Sequence, residues 1–194
     1  MTRLLRTSEI TGRPVVTLAG EDVAQIKDVV YAPGRGRVGA FTLAGRGLFA
    51  GPLPVALAWS SVVALGNDAV MIADEEVLAP LEQGVDQPAT SGRQGNVLGA
   101  RVLTDTGTDL GLVADVIVQV SEDDSACEVV GYEIESSDAA GSQADTLLIP
   151  LPETLSASGE HLIVPGSVTK FVRHDLAGFG AAIEGFRSHL GGED

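Results

Sequence analysis

Very little in this chain can do redox, metal or membrane chemistry. Of its 194 residues one is a cysteine, Cys127, so no disulfide can form within the chain. Three are histidines, His161, His174 and His189, with no H-E-x-x-H and no cysteine pair, which argues against a zinc site. Aromatic residues make up 4%. No apolar run reaches the roughly 18 residues of a membrane-spanning helix. The start, MTRLLRTSEITG, lacks the apolar stretch and small-residue cleavage site of a secretory signal. We expect a protein without metal or other cofactor, in the cytoplasm.

Positive charge is scarce and unevenly spread. Residues 1–83 hold 7 Lys and Arg against 9 Asp and Glu, whereas residues 84–194 hold 5 against 18. No Lys or Arg occurs from Val102 to Thr169. With a net charge of −15 the chain repels phosphate backbones, which argues against nucleic acid as a partner. An acidic face is either solubilising or a dock for a basic protein.

What is present is a repeat. Gly12, Val15, Thr17, Gly20, Asp22, Asp28 and Val29 recur 87 positions later as Gly99, Val102, Thr104, Gly107, Asp109, Asp115 and Val116. Val16, Val23, Ile26 and Val30 recur as Leu103, Leu110, Val113 and Ile117, apolar for apolar. Five extra residues in the acidic loop Ser121–Ser125 then move the offset to 92 at Gly39 and Gly131. Two copies of one module joined in tandem explain this register. The predicted organisation is a first module at 1–83, a linker at 84–95, a second module at 96–166, and a helix and tail at 167–194.

Each module reads as short strands between glycine turns. The first gives Pro14–Ala19, Ala24–Tyr31, Val38–Leu43, Leu48–Ala58, Val62–Leu65 and Ala69–Ile72, closing with a short helix over Asp74–Glu82. The second gives Ala100–Thr104, Leu112–Gln119, Val129–Glu135, Thr146–Pro150 and His161–Val164. Such spacing predicts an all-β protein of small barrels or sandwiches, and we expect two small barrels, since closure removes free strand edges. From Ser167, read as an N-cap, the apolar positions Val172, Leu176, Phe179, Ile183, Phe186 and Leu190 step by 4 and 3, an amphipathic helix. We expect it to cover a barrel of its own chain; the other reading is a homo-oligomer paired through this helix.

The pattern resembles the PRC-barrel domain, found in the photosynthetic reaction-centre H subunit and at the C-terminus of a ribosome-maturation factor. The resemblance rests on Ser8-Glu9-Ile10-Thr11-Gly12-Arg13-Pro14-Val15, on Gly20 followed by Ile26-Lys27-Asp28-Val29-Val30, and on Pro54 with Trp59-Ser60-Ser61-Val62 leading to Asn67-Asp68-Ala69-Val70. The second copy echoes it in Asp105-Thr106-Gly107 and in Ile149-Pro150-Leu151-Pro152, without the Trp-Ser pair. The resemblance implies two tandem PRC-barrel-like modules and a non-enzymatic adaptor that binds protein partners, with the inner membrane face as one setting for peripheral association. The alternative it implies is an accessory factor in RNA or ribosome processing.

No catalytic residue stands out. Asp28 and Asp115 read as structural acids bonded to neighbouring turns, since a general base duplicated in both halves without a partner acid is poorly motivated. Cys127 reads as a small core residue. The candidate interaction residues are Arg35, Arg37 and Arg46, which flank one strand and could converge as a basic spot, together with Phe49 and Trp59 as aromatic contacts. Core burial is the competing reading for both aromatics.

Overall fold

Thr17 and Thr104 each end a strand at a tight turn built in the same way. Gly20 and Gly107 adopt left-handed backbone, φ +88° and +82°, where a Cβ would be strained. The N–H of Gly20 donates to Thr17 O at 2.9 Å, and that of Gly107 to Thr104 O at 2.9 Å. Each threonine hydroxyl accepts from the backbone four residues on, Glu21 N at 3.1 Å and Thr108 N at 2.9 Å. The repeated sequence therefore folds into a repeated turn, bond for bond.

These relations come from a computed structural model, which describes residues 2–32, 36–47, 50–81, 97–136, 146–151, 156–157 and 160–190. The chain divides into two compact units. The first comprises Met1–Thr90 with Gln119–Glu128, and the second Ser91–Val118 with Val129–Asp194. The acidic loop Ser121–Ser125 is thus grouped with the first unit. The segment 84–95 read as a linker lies outside the described residues.

In chain order the elements are β1 (Arg3–Arg6), a single helical turn α1 (Thr7–Ile10), β2 (Pro14–Thr17), β3 (Asp22–Tyr31), β4 (Val38–Ala44), β5 (Pro52–Ala58), β6 (Val62–Leu65), β7 (Val70–Ile72) and β8 (Ala79–Pro80). There follow β9 (Arg101–Thr104), β10 (Asp109–Val120), β11 (Cys127–Ser136), β12 (Thr146–Pro150), β13 (Ser156–Ala157), β14 (His161–Val164) and α2 (Leu176–Leu190). The first unit's sheet is ordered β6-β7-β2-β3-β4-β5-β8; the second runs β12-β11-β10-β9-β14-β13. The protein is all-β with a C-terminal helix.

Register repeats as sequence does. In β2–β3, Val16 faces Asp22 and Val15 faces Ala24, a bulge that skips Val23; in β9–β10, Leu103 faces Asp109 and Val102 faces Gly111, skipping Leu110. The parallel pairs β2–β7 and β9–β14 also match, Val15 with Val70 and Val102 with Leu162. Alternate residues of these strands fill each core. Val15, Ile26, Phe41, Leu43, Leu57 and Ile72 are buried in the first unit, and Val102, Val113, Ile117, Ile134, Leu148 and Val164 in the second.

Two expected helices are corrected. Over Asp74–Pro80 the chain makes a 3-10 turn, Glu75–Val77, with the Asp74 carboxylate accepting from Glu76 N at 2.9 Å, and Glu82 lies outside the described residues. After the turn the chain pairs as β8 on Val55 and Ala56. Pro80 has no N–H to continue a helix, and an edge strand tolerates it. The tail helix starts at Leu176, not Ser167. Arg173 exchanges backbone hydrogen bonds with Leu148 at 2.7 and 3.0 Å, which holds the chain extended there, and Asp175 caps the helix by accepting from Gly178 N at 2.8 Å.

The helix α2 lies on β12 within its own unit. Phe179, Ala182, Ile183 and Phe186 are buried, and Phe171 meets Phe186 edge-on with ring centres 5.2 Å apart. Among the described residues no helix is long and apolar enough to cross a membrane.

Candidate functional site

Of the candidate arginines, Arg37 and Arg46 are each engaged by a carboxylate, for a local reason. Arg37 sits just before β4 and forms an isolated antiparallel bridge with Glu128, its guanidinium 2.8 Å from the Glu128 carboxylate. Arg46 follows β4 and lies 3.1 Å from Asp22 at the start of β3, the strand paired with β4. Both arginine side chains keep about half their surface in solvent, so each ion pair is weak, roughly 0–1 kcal/mol. Both remain open to solvent, each with a carboxylate partner. Arg35 and Phe49 lie outside the described residues.

Trp59 is in the core. It is 7% exposed and tilts against Phe41 with ring centres 5.8 Å apart. Its position in the 3-10 turn Trp59–Ser61, between β5 and β6, aims the indole inward. Little of it is left for a partner. Among the described residues of the first unit the exposed large apolar side chains are Leu18, 64% exposed, and Val63, 49%. Leu18 N donates to Ile72 O at 2.9 Å, and Val62 pairs with Ile72, so Leu18 and Val63 belong to the same end of the sheet. In the second unit the position equivalent to Leu18 is Asp105, and its N–H likewise donates to a strand carbonyl, Val164 O, at 2.9 Å. The backbone is shared while the surface changes from apolar to acidic.

The two repeated aspartates have different settings. Asp115 is buried, and its carboxylate accepts from Val116 N at 2.7 Å. Asp28 is exposed, and its carboxylate lies 3.8 Å from the Lys27 ammonium, its neighbour on the same strand. The cause is a bulge, because β3–β4 pairing steps from Ile26–Leu43 to Asp28–Thr42 and turns both Lys27 and Asp28 outward.

Three residues not foreseen from sequence form the most elaborate polar cluster. Arg13 is 9% exposed; its Nε donates to Glu9 O at 2.7 Å and its Nη1 to Gly66 O. Burial lowers the pKa of its guanidinium against the opposing pull of Glu9, yet arginine stays charged at any physiological pH. Arg3 donates from Nη1 to Leu65 O at 2.7 Å, and its Nη2 lies 2.6 Å from Asp124 Oδ1. Asp124 Oδ2 in turn accepts from Leu65 N at 3.2 Å. Asp124 has φ +53°, the sole non-glycine described with positive φ, a conformation aspartate tolerates better than most. The acidic loop is thus built into the first unit. Beside it, hydrogen bonds from the Ser125 and Ser121 hydroxyls hold the Asp123 carboxyl down at about 2.

Cys127 is buried, and desolvation raises its thiol to about 12, which removes it as a nucleophile near neutrality. Among the described residues no group of three or more His, Cys, Asp or Glu is placed to hold a metal.

No curated protein matches the chain. The family model described as "PRC-barrel domain" matches residues 3–78. That span runs from Arg3 through β7 to the 3-10 turn before β8, nearly all of the first unit's sheet. Residues 3–78 of this chain are a PRC-barrel domain.

Proposed function

We propose that this protein is a non-enzymatic adaptor that binds protein partners through the surfaces of its β-units, and that its second unit is a second, diverged PRC-barrel copy. The single observation carrying the adaptor reading is the PRC-barrel match over residues 3–78, a domain type that serves protein interaction and scaffolding. The recurrence of turns, bulges and parallel pairs 87 to 92 residues later supports a second copy. The units then differ where an adaptor needs them to differ: Leu18 gives the first an apolar contact, and Asp105 with the surrounding acids gives the second a dock for a basic surface. Any placement at the inner membrane face depends on a protein partner, because a chain of charge −15 is repelled by anionic lipid.

The test is quantitative affinity capture from the native cell with wild-type and Leu18→Glu baits. We expect a co-purifying protein near one-to-one, falling at least tenfold for L18E, and no turnover by the purified chain. A stoichiometric bound metal or chromophore, or equal capture by both baits, overturns the reading. Co-sedimentation with ribosomal particles instead favours the accessory role in RNA processing.

A further inference from the structure

Among the described residues strand β6 ends the first unit's sheet, and its outward backbone groups face no strand in the sheet order. The hairpin β6–β7 closes with Gly66 N donating to Ala69 O at 2.9 Å. The next pair, Leu65 with Val70, is therefore the wide one, and the Leu65 N–H and C=O point away from β7. Both groups are taken, by side chains: Asp124 Oδ2 accepts from the N–H at 3.2 Å, and Arg3 Nη1 donates to the C=O at 2.7 Å. The two side chains are held to each other by the 2.6 Å ion pair. Together they do what an adjacent strand would do.

We propose that Arg3 and Asp124 form an edge cap that prevents β6 from accepting the β6 strand of a second copy of this chain. The strand itself argues for that occupant. Its sequence, Val62-Val63-Ala64-Leu65, carries no charge, and Val63 is 49% exposed. A short uncharged edge rich in β-branched residues is self-complementary, and proteins block such edges with charge. Here β6 has none of its own and borrows it from Arg3 and Asp124. The five-residue insertion that shifts the repeat from 87 to 92 supplies the acid. This inference does not rest on the adaptor reading.

The experiment compares wild type, Asp124→Ala and Arg3→Ala in the full chain. It reads amide hydrogen exchange at Leu65 and sedimentation velocity over a concentration series. Losing a charged hydrogen-bond partner speeds exchange at Leu65 by at least about tenfold, while Ile26 in the centre of the sheet is unchanged. Both variants form a concentration-dependent dimer, and adding Val63→Lys returns them to monomer. If D124A loses its β signal, the same readings on Asp124→Asn, which keeps an acceptor and loses the charge, decide the matter. Leu65 exchange equal to wild type, monomers at every concentration, or a dimer that survives V63K overturns the cap.

Discussion

The ring of Phe179 lies directly over Gly131. A Cβ placed at Gly131 would stand 2.5 Å from Phe179 Cζ and 2.3 Å from the backbone oxygen of Ile149. One neighbour is the floor of the helix and the other is β12, the strand paired with β11 at this point. Neither can move without parting helix from sheet.

Gly131→Ala is therefore expected to destabilise the second unit by about 2–4 kcal/mol, through overpacking and not through backbone entropy. Urea unfolding followed by circular dichroism measures it. Phe179→Ala in the same background recovers part of the loss, since it opens the space that the new methyl needs; strict additivity would speak against the packing account.

Arg13 is the buried cation of the first unit, and its equivalent in the second is Ala100. Removing it leaves the carbonyls of Glu9 and Gly66 without its guanidinium. Arg13→Ala should cost about 2–3 kcal/mol, and Arg13→Lys nearly as much, because one ammonium cannot span both carbonyls. Thermal denaturation of the pair distinguishes a geometric role from a purely electrostatic one.

Asp28 and Asp115 occupy equivalent places in the repeat and unlike places in space. Asp28→Asn is expected to fall within about 0.5 kcal/mol of wild type. Asp115→Asn should cost about 1–3 kcal/mol, since it weakens the acceptor held by Val116 N inside the sheet. Chemical denaturation of the two single variants gives the comparison.

Alkaline conditions should destabilise the protein through two buried acids. Desolvation raises Tyr132 from 10.0 to about 12 and Cys127 from 9.0 to about 12. The unfolded chain then loses these protons first. The stability they lend is complete below about pH 9 and is lost as pH rises toward 12, on the order of 3 kcal/mol for each group. On the acid side Asp123 has the opposite sign: its contribution holds above pH 3.8 and fades as pH falls through about 2. Unfolding free energy measured from pH 2 to 12 tests both limbs, and native Cys127 should react with thiol reagents only as fast as the unit opens.

Much of this architecture was legible from local pattern. Val62–Leu65, Thr146–Pro150 and His161–Val164 stand where alternation and turn residues put them, and Gly20 and Gly107 mark turns because few residues but glycine enter that backbone region. The tail helix was visible from its stripe, but its start was not, because Arg173 obeys a strand partner, Leu148, far from it in sequence. The polar cluster was hidden for the same reason. Arg3 reads as a terminal charge and Asp124 as one acid among several in a loop, and only their meeting across 121 positions gives either a role. The insertion announced itself as a break in the repeat, while its purpose belongs to tertiary structure.

That separation also has a consequence in time. Leu65 precedes Asp124 by 59 positions, so a ribosome making about 5–20 residues per second delivers the acid roughly 3–12 seconds after the strand it protects. During that interval every nascent copy carries a bare margin, and neighbouring copies on one polysome are the nearest source of another.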